Sequence, residues 1–155
     1  MSTGAWVLIA AVVVALAFGA YRAATDGRFR GTHRVKGAAE QPEAERAPSV
    51  ADQAGEAGLR IELGERATLL QFSSAFCAPC RATRRTLAEV AAAVPGVTHV
   101  EVDAEHHLEA VRRLGILRTP TTLVLDAGGA EITRASGAPR KEQVLAALGA
   151  AVDRS

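Results

Sequence analysis

The sequence is short of sulfur, aromatic rings and net charge, and each shortage narrows what the chain can do. It carries two cysteines, one methionine, one tryptophan and one tyrosine in 155 residues. With no further cysteine, and Met1 as the sole methionine, no thiolate- or thioether-rich stretch is available to favour a soft cation such as Cu(I). A net charge of +1 leaves no strongly basic surface to suit a nucleic acid. No internal repeat is visible. Arginine greatly outnumbers lysine and alanine is abundant, a bias that resembles coding in a GC-rich bacterial genome.

The two cysteines that are present sit two residues apart, in Phe76-Cys77-Ala78-Pro79-Cys80-Arg81, just after the apolar run Leu69-Leu70-Gln71-Phe72. A disulfide stabilises mainly by closing a long loop in the unfolded chain, and this pair closes a very short one. Its use is therefore to open and close, which points to thiol–disulfide chemistry.

Charge is also missing from the N-terminus. Ser2 to Tyr21 has no charged side chain, and its core runs from Ala5 to Phe18. A helix of about 20 residues rises roughly 30 Å, enough to cross the hydrocarbon core of a bilayer. Trp6 and Tyr21 lie near its ends, where amphipathic rings favour the interface. A cleaved signal peptide is the alternative, and Ala15-Leu16-Ala17 would suit its cleavage site. Signal peptides carry a basic residue before the apolar run, and none stands there, so residues 2–21 read as a retained single-pass anchor. Arg22, Arg28, Arg30, Arg34 and Lys36 follow it. That asymmetry predicts a bacterial membrane protein with its C-terminal domain in the cytoplasm, the extracytoplasmic placement being the alternative.

Residues 22–58 read as a flexible linker, basic and rich in Ala and Gly, with few large apolar side chains to offset ordering entropy and a short helix near Val50-Gly55. From Leu59 the pattern sharpens. Leu59 to Leu63 alternates like a half-buried strand, and Thr68 to Ser73 is an apolar run of strand length. A helix opens at Cys77, puts Leu87, Val90, Ala91 and Val94 on one face, and stops at Pro95-Gly96. Val97 to Val102 reads as a strand. His107 to Leu114 reads as a short helix with Leu108, Val111 and Leu114 on one face. Thr121–Leu125 and Glu131–Ala135 form a hairpin across Asp126-Ala127-Gly128-Gly129, and Arg140 to Val152 closes the chain as a helix with Val144, Leu145 and Leu148 inward. The order β-β-α-β-α-β-β-α implies an α/β domain with a mixed sheet between helices.

Over residues 59–153 the chain resembles the thioredoxin family. Three features carry the resemblance: the Cys77-Ala78-Pro79-Cys80 motif between a strand and a helix, the loop Gly115-Ile116-Leu117-Arg118-Thr119-Pro120-Thr121, and the Gly128-Gly129 turn followed by Gly137. The resemblance implies a thioredoxin-like three-layer fold, a cis Thr119–Pro120 bond, Cys77 as attacking thiolate and Cys80 as resolving thiol. It implies a redox-active Cys77–Cys80 disulfide, and substrate contacts at Phe76, Ala78, Pro79, Thr119 and Pro120. No cofactor and no metal is expected, since the dithiol itself carries the electrons. The partners it implies are protein disulfides or dithiols and an electron donor. Ala78-Pro79 is close to the Gly-Pro of reducing members, which favours a reductase.

The helix start favours a thiolate at Cys77, through its unpaired N–H groups and dipole. Pro79 suits a first turn, where its missing N–H would be unsatisfied anyway. Arg81 reads as a solvated arginine or a positive field near the thiols. Two departures stand out. Phe76 replaces the family's usual tryptophan. Gln71 stands six residues before Cys77, where the family has a buried aspartate thought to deprotonate the second cysteine. A metal-binding module and a low-turnover scaffold on the same fold remain the rival readings.

Overall fold

The computed structural model describes residues 3–25, 27–31 and 48–152. The elements are helix α1 (Thr3–Thr25), strand β1 (Phe29–Gly31), helix α2 (Val50–Glu56), strand β2 (Ala67–Ser73) and helix α3 (Ala78–Ala93). Strand β3 (Val97–Asp103), helix α4 (Leu108–Arg113), strands β4 (Thr121–Asp126) and β5 (Glu131–Ser136) and helix α5 (Lys141–Val152) follow. Among the described residues the strands form one sheet in the order β1-β5-β4-β2-β3. Only β2 and β3 run parallel; the other neighbours are antiparallel.

All seven residues of β2 are buried, because it lies inside the sheet with helices on both faces. Alternate side chains therefore feed two cores. Leu70 and Phe72 join Val102, Leu123 and Leu125 beneath α2 and α4. Leu69 joins Val124, with Leu87 and Val90 of α3 and Val144 and Leu148 of α5. Complete burial of one such side chain stabilises the fold by roughly 1.5–3 kcal/mol.

Three sequence expectations are corrected. Leu59 to Leu63 is not a strand. Leu59 is buried and Ile61 packs beside it on the α2/α4 core, while β3 remains a sheet edge. Alternation records one-sided burial, which an extended segment lying on a core achieves without a ladder. Leu108 is 53% exposed, and Ala110 takes the buried position of α4. Leu145 is 43% exposed, and Ala147 and Ala151 complete the inward stripe of α5. The inward stripe of α5 is therefore Val144, Ala147, Leu148 and Ala151, with Leu145 beside it at the rim.

Of the segment 22–58 expected to be a linker, residues 26 and 32–47 lie outside the described residues, and two of its described stretches form regular structure. Phe29–Gly31 adds an antiparallel edge to β5, with Phe29 opposite Ala135. Val50–Glu56 is a helix with a reciprocal cap: the Ser49 hydroxyl accepts from the Asp52 N–H, and the Asp52 carboxylate accepts from the Ser49 N–H. Helix α1 is long and apolar enough to cross a bilayer over Gly4–Arg22, and none of that stretch is buried.

Candidate active site

Strand β2 ends at Ser73, and α3 begins at Ala78 with Cys77 as its N-cap. Pro79 lies in the first turn, as its missing N–H allows. Cys77 and Cys80 are joined in a disulfide, their Cα atoms 5.2 Å apart. The Cys80 N–H is shared between the Cys77 carbonyl oxygen and Cys77 Sγ, each at 3.1 Å, so a donor of the first helical turn points toward that sulfur. The two sulfurs differ in access. Cys77 is half-buried, whereas Cys80 is 2% exposed. Around Cys77 the surface is apolar: Ala78 and Pro79 are exposed, and Phe76 is 98% exposed.

The loop before β4 abuts this motif. The Thr119–Pro120 peptide is cis. Thr119 Oγ1 lies 3.0 Å from Ser74 Oγ, which ties the loop to the turn leading into Cys77. Pro120 is buried, and its carbonyl accepts from the Gly137 N–H at 2.7 Å. The structure thus brings Phe76, Cys77, Ala78, Pro79, Cys80, Thr119 and Pro120 to one end of the sheet.

Behind Cys80 lies a polar layer, of which the sequence singled out Gln71 and missed His99 and Glu101. Gln71 is fully buried, and its amide Nε2–H donates to the Cys80 carbonyl at 3.0 Å. That leaves Gln71 Oε1 facing His99 Nε2 at 3.2 Å, so the neutral imidazole carries its proton on Nε2 and donates it. Two residues along β3, Glu101 accepts from the Ser73 hydroxyl at 2.7 Å and pairs with Arg84 of α3 at 3.3 Å. Ser73, Cys80, Arg81, Arg84, Glu101 and Asp103 line a polar groove of about 380 Å³, which gives the buried Cys80 a wet edge. Arg81 is exposed at its rim. His106 and His107 are held by Asp103 instead, through its carboxylate and its carbonyl. The signal that links His99 to Gln71 is parallel pairing of β2 with β3, which places Leu69 opposite His99 and Gln71 opposite Glu101.

Burial lowers the pKa of His99 below its ordinary value of about 6.5; Arg84 adds to the effect and Glu101 opposes it. The fold therefore prefers the neutral ring. As pH falls below that ordinary value, the unfolded chain takes up a proton that the folded chain resists, so stability drops; above it the contribution is intact. Urea unfolding at about pH 7.5 and about pH 5.5 should show this loss in the wild type and a smaller one in His99→Asn. Equal losses in both proteins would remove His99 as the cause.

The motif, the cis-proline loop and the mixed sheet agree with what the chain is similar to. The thioredoxin family model matches residues 58–150. The chain belongs to the thioredoxin family. A thioredoxin of Alicyclobacillus acidocaldarius subsp. acidocaldarius is 34% identical over 86 residues, which span 55% of this chain and 81% of that protein. The solved structure of Fasciola hepatica thioredoxin superposes with a TM-score of 0.51 at 22% identity, covering 67% of this chain and 95% of that one. Thioredoxin F from spinach chloroplast gives a TM-score of 0.51 at 25% identity, covering 59% and 80%. This thioredoxin-family chain thus has a cysteine pair close enough to form a disulfide, consistent with thiol–disulfide oxidoreductase activity.

Proposed function

We propose that the chain is a membrane-tethered protein-disulfide reductase. The observation that carries the reading is the Cys77–Cys80 pair at the start of α3, with the Thr119–Pro120 loop held against it. In the reduced protein, the Cys77 thiolate attacks one sulfur of a substrate disulfide. A mixed disulfide forms and one substrate thiolate leaves. The Cys80 thiolate then attacks Cys77 Sγ, the second substrate thiolate leaves, and the Cys77–Cys80 disulfide closes. Two electrons have passed to the substrate, and an external dithiol donor restores the pair. The unequal access of the two sulfurs supports this order, because only Cys77 can be reached by a bulky substrate.

Gln71 cannot take the Cys80 proton. That proton leaves by the polar groove, where Glu101 and water are the acceptors. Phe76, Ala78 and Pro79 supply apolar contact, and the backbone of Thr119, before Pro120, pairs with an extended substrate segment. No nucleic acid is involved. Helix α1 holds the protein in the membrane as a single span, and the basic residues after it favour a cytoplasmic domain.

Insulin reduction with dithiothreitol, together with a redox titration of the couple, tests the activity. A wild-type rate no faster than dithiothreitol alone would sink the reading, and a potential well above that of the glutathione pool would reverse its direction. Labelling of Cys77 and Cys80 by a membrane-impermeant thiol reagent in intact cells would place the domain outside the cytoplasm.

A further inference from the structure

The chain enters the domain at the end of the sheet that carries the cysteines. Helix α1 ends at Thr25. Two residues later, the Gly27 N–H donates to the carbonyl of Ser136, the last residue of β5, at 2.9 Å. Gly27 is buried with φ 72°, and a Cβ there would sit 2.2 Å from the Ala138 carbonyl oxygen. This is a fitted junction that only glycine suits. Phe29 then pairs with Ala135, Ala135 with Thr122, and Thr122 with Gln71. Those register partners form one row across the sheet, from the entering chain to the residue under Cys80.

The distances follow from the chain and the sheet. Thr25 and Gly27 are at most about 7 Å apart. Ser136 pairs with Thr121, next to Pro120, so the Thr119–Pro120 loop lies on the order of 20 Å from the end of α1. Phe29 to Gln71 is three strand spacings, about 14 Å. Arg118, in the same loop, donates to the Ser136 carbonyl that also receives Gly27. A free linker over residues 22–58 would have a root-mean-square span of roughly 33 Å and would let the site roam. The docked strand removes that freedom. The two most exposed apolar side chains of the domain, Phe76 at 98% and Leu117 at 96%, belong to the motif and to this loop.

We infer that the dithiol works at the bilayer surface, on a disulfide carried by another membrane-spanning protein close to where that protein leaves the lipid. The inference rests on the anchored-reductase reading and names its substrate class. Phe76 and Leu117 suit the apolar character of such a juxtamembrane segment. The same geometry applies on either side of the membrane, since α1 joins the domain by its C-terminal end in both.

The test uses the full chain in phosphatidylcholine–phosphatidylglycerol vesicles with dithiothreitol as donor. The probe is a single-span peptide bearing a disulfide-linked fluorophore. The disulfide sits either next to the span or beyond a polyproline spacer of about 16 residues, roughly 50 Å long. The near probe should be reduced at least tenfold faster than the far one. Inserting a Gly-Ser spacer of about 30 residues between Thr25 and Asp26 should bring the two rates within twofold. Gly27→Val, which breaks the junction, should move them the same way. Equal rates in the wild type, or a preference that the spacer leaves untouched, would overturn the proposal. Insulin reduction and vesicle flotation of the same sample separate the causes. No insulin reduction removes the reductase premise, and no flotation removes the anchor; either takes the proposal down for its own reason.

Discussion

Cys77→Ser should reduce insulin no faster than buffer with donor, whereas Cys80→Ser should perform one attack and stop as a mixed disulfide. The two losses should differ because the proposed mechanism gives the two sulfurs different work. Cys77 is the accessible sulfur, and it receives the Cys80 N–H at the helix start. A serine hydroxyl there is neither ionised near neutral pH nor able to form a disulfide. The expected loss in turnover is at least about 10³-fold, as for removal of other covalent nucleophiles. Cys80 is 2% exposed and sits over Gln71, so in the proposed mechanism it acts only after Cys77 has captured a substrate. In Cys80→Ser the capture survives and the release fails. Mass spectrometry of the pre-reduced variants, mixed with insulin after the donor has been removed, reads this directly, as a covalent adduct in Cys80→Ser that is absent in Cys77→Ser. The opposite pattern, with the adduct on Cys80, would reverse the two roles. The disulfide closes too short a loop to contribute much stability, so neither variant should lose activity by unfolding.

Phe72→Ala has the largest expected effect on stability, about 3–5 kcal/mol. Phe72 is fully buried on β2 and packs in the core shared with Leu70, Val102 and Leu123 beneath α2 and α4. Truncation removes the transfer free energy of the ring. It also leaves a cavity that a strand paired on both sides cannot collapse around. A domain of this size is stable by about 5–15 kcal/mol, so much of that margin would go. Its melting temperature should fall by roughly 15 °C or more. Leu108→Ala, at the 53% exposed end of α4, should change stability by under about 0.5 kcal/mol. Urea unfolding of the two variants checks the contrast. A Phe72→Ala loss of under about 1 kcal/mol would mean that β2 is not the centre of this core.

The helix at the cysteines, the hairpin across Gly128-Gly129 and the α5 helix were legible because each is written in adjacent residues: a cap and a proline, a turn, a helical stripe. The Leu59–Leu63 segment misled because alternation reports burial on one side and says nothing of a ladder partner. Leu108 and Leu145 misled for a related reason. Helical spacing leaves more than one face open, and the neighbours decide which is covered: Ala110 instead of Leu108, and Ala147 and Ala151 instead of Leu145. The departure at Gln71 was visible as a letter, and its consequence was not. Its two hydrogen bonds reach Cys80, nine residues on, and His99, twenty-eight residues on.

The sequence by itself carried the resemblance to the family, the close spacing of the Cys77-Ala78-Pro79-Cys80 pair and the presence of an apolar helix of membrane-spanning length. All three are encoded in short spacings and runs. Tertiary structure decided the rest. It made Gln71 a bridge between Cys80 and His99, put Cys80 and Glu101 on one polar groove, and turned Phe29–Gly31 into a sheet edge. These depend on which strand lies beside which, and pairing joins residues as far apart as Phe29 and Ala135. No local pattern carries that information. It arises when the two cores close on the sheet and leave each edge a single neighbour.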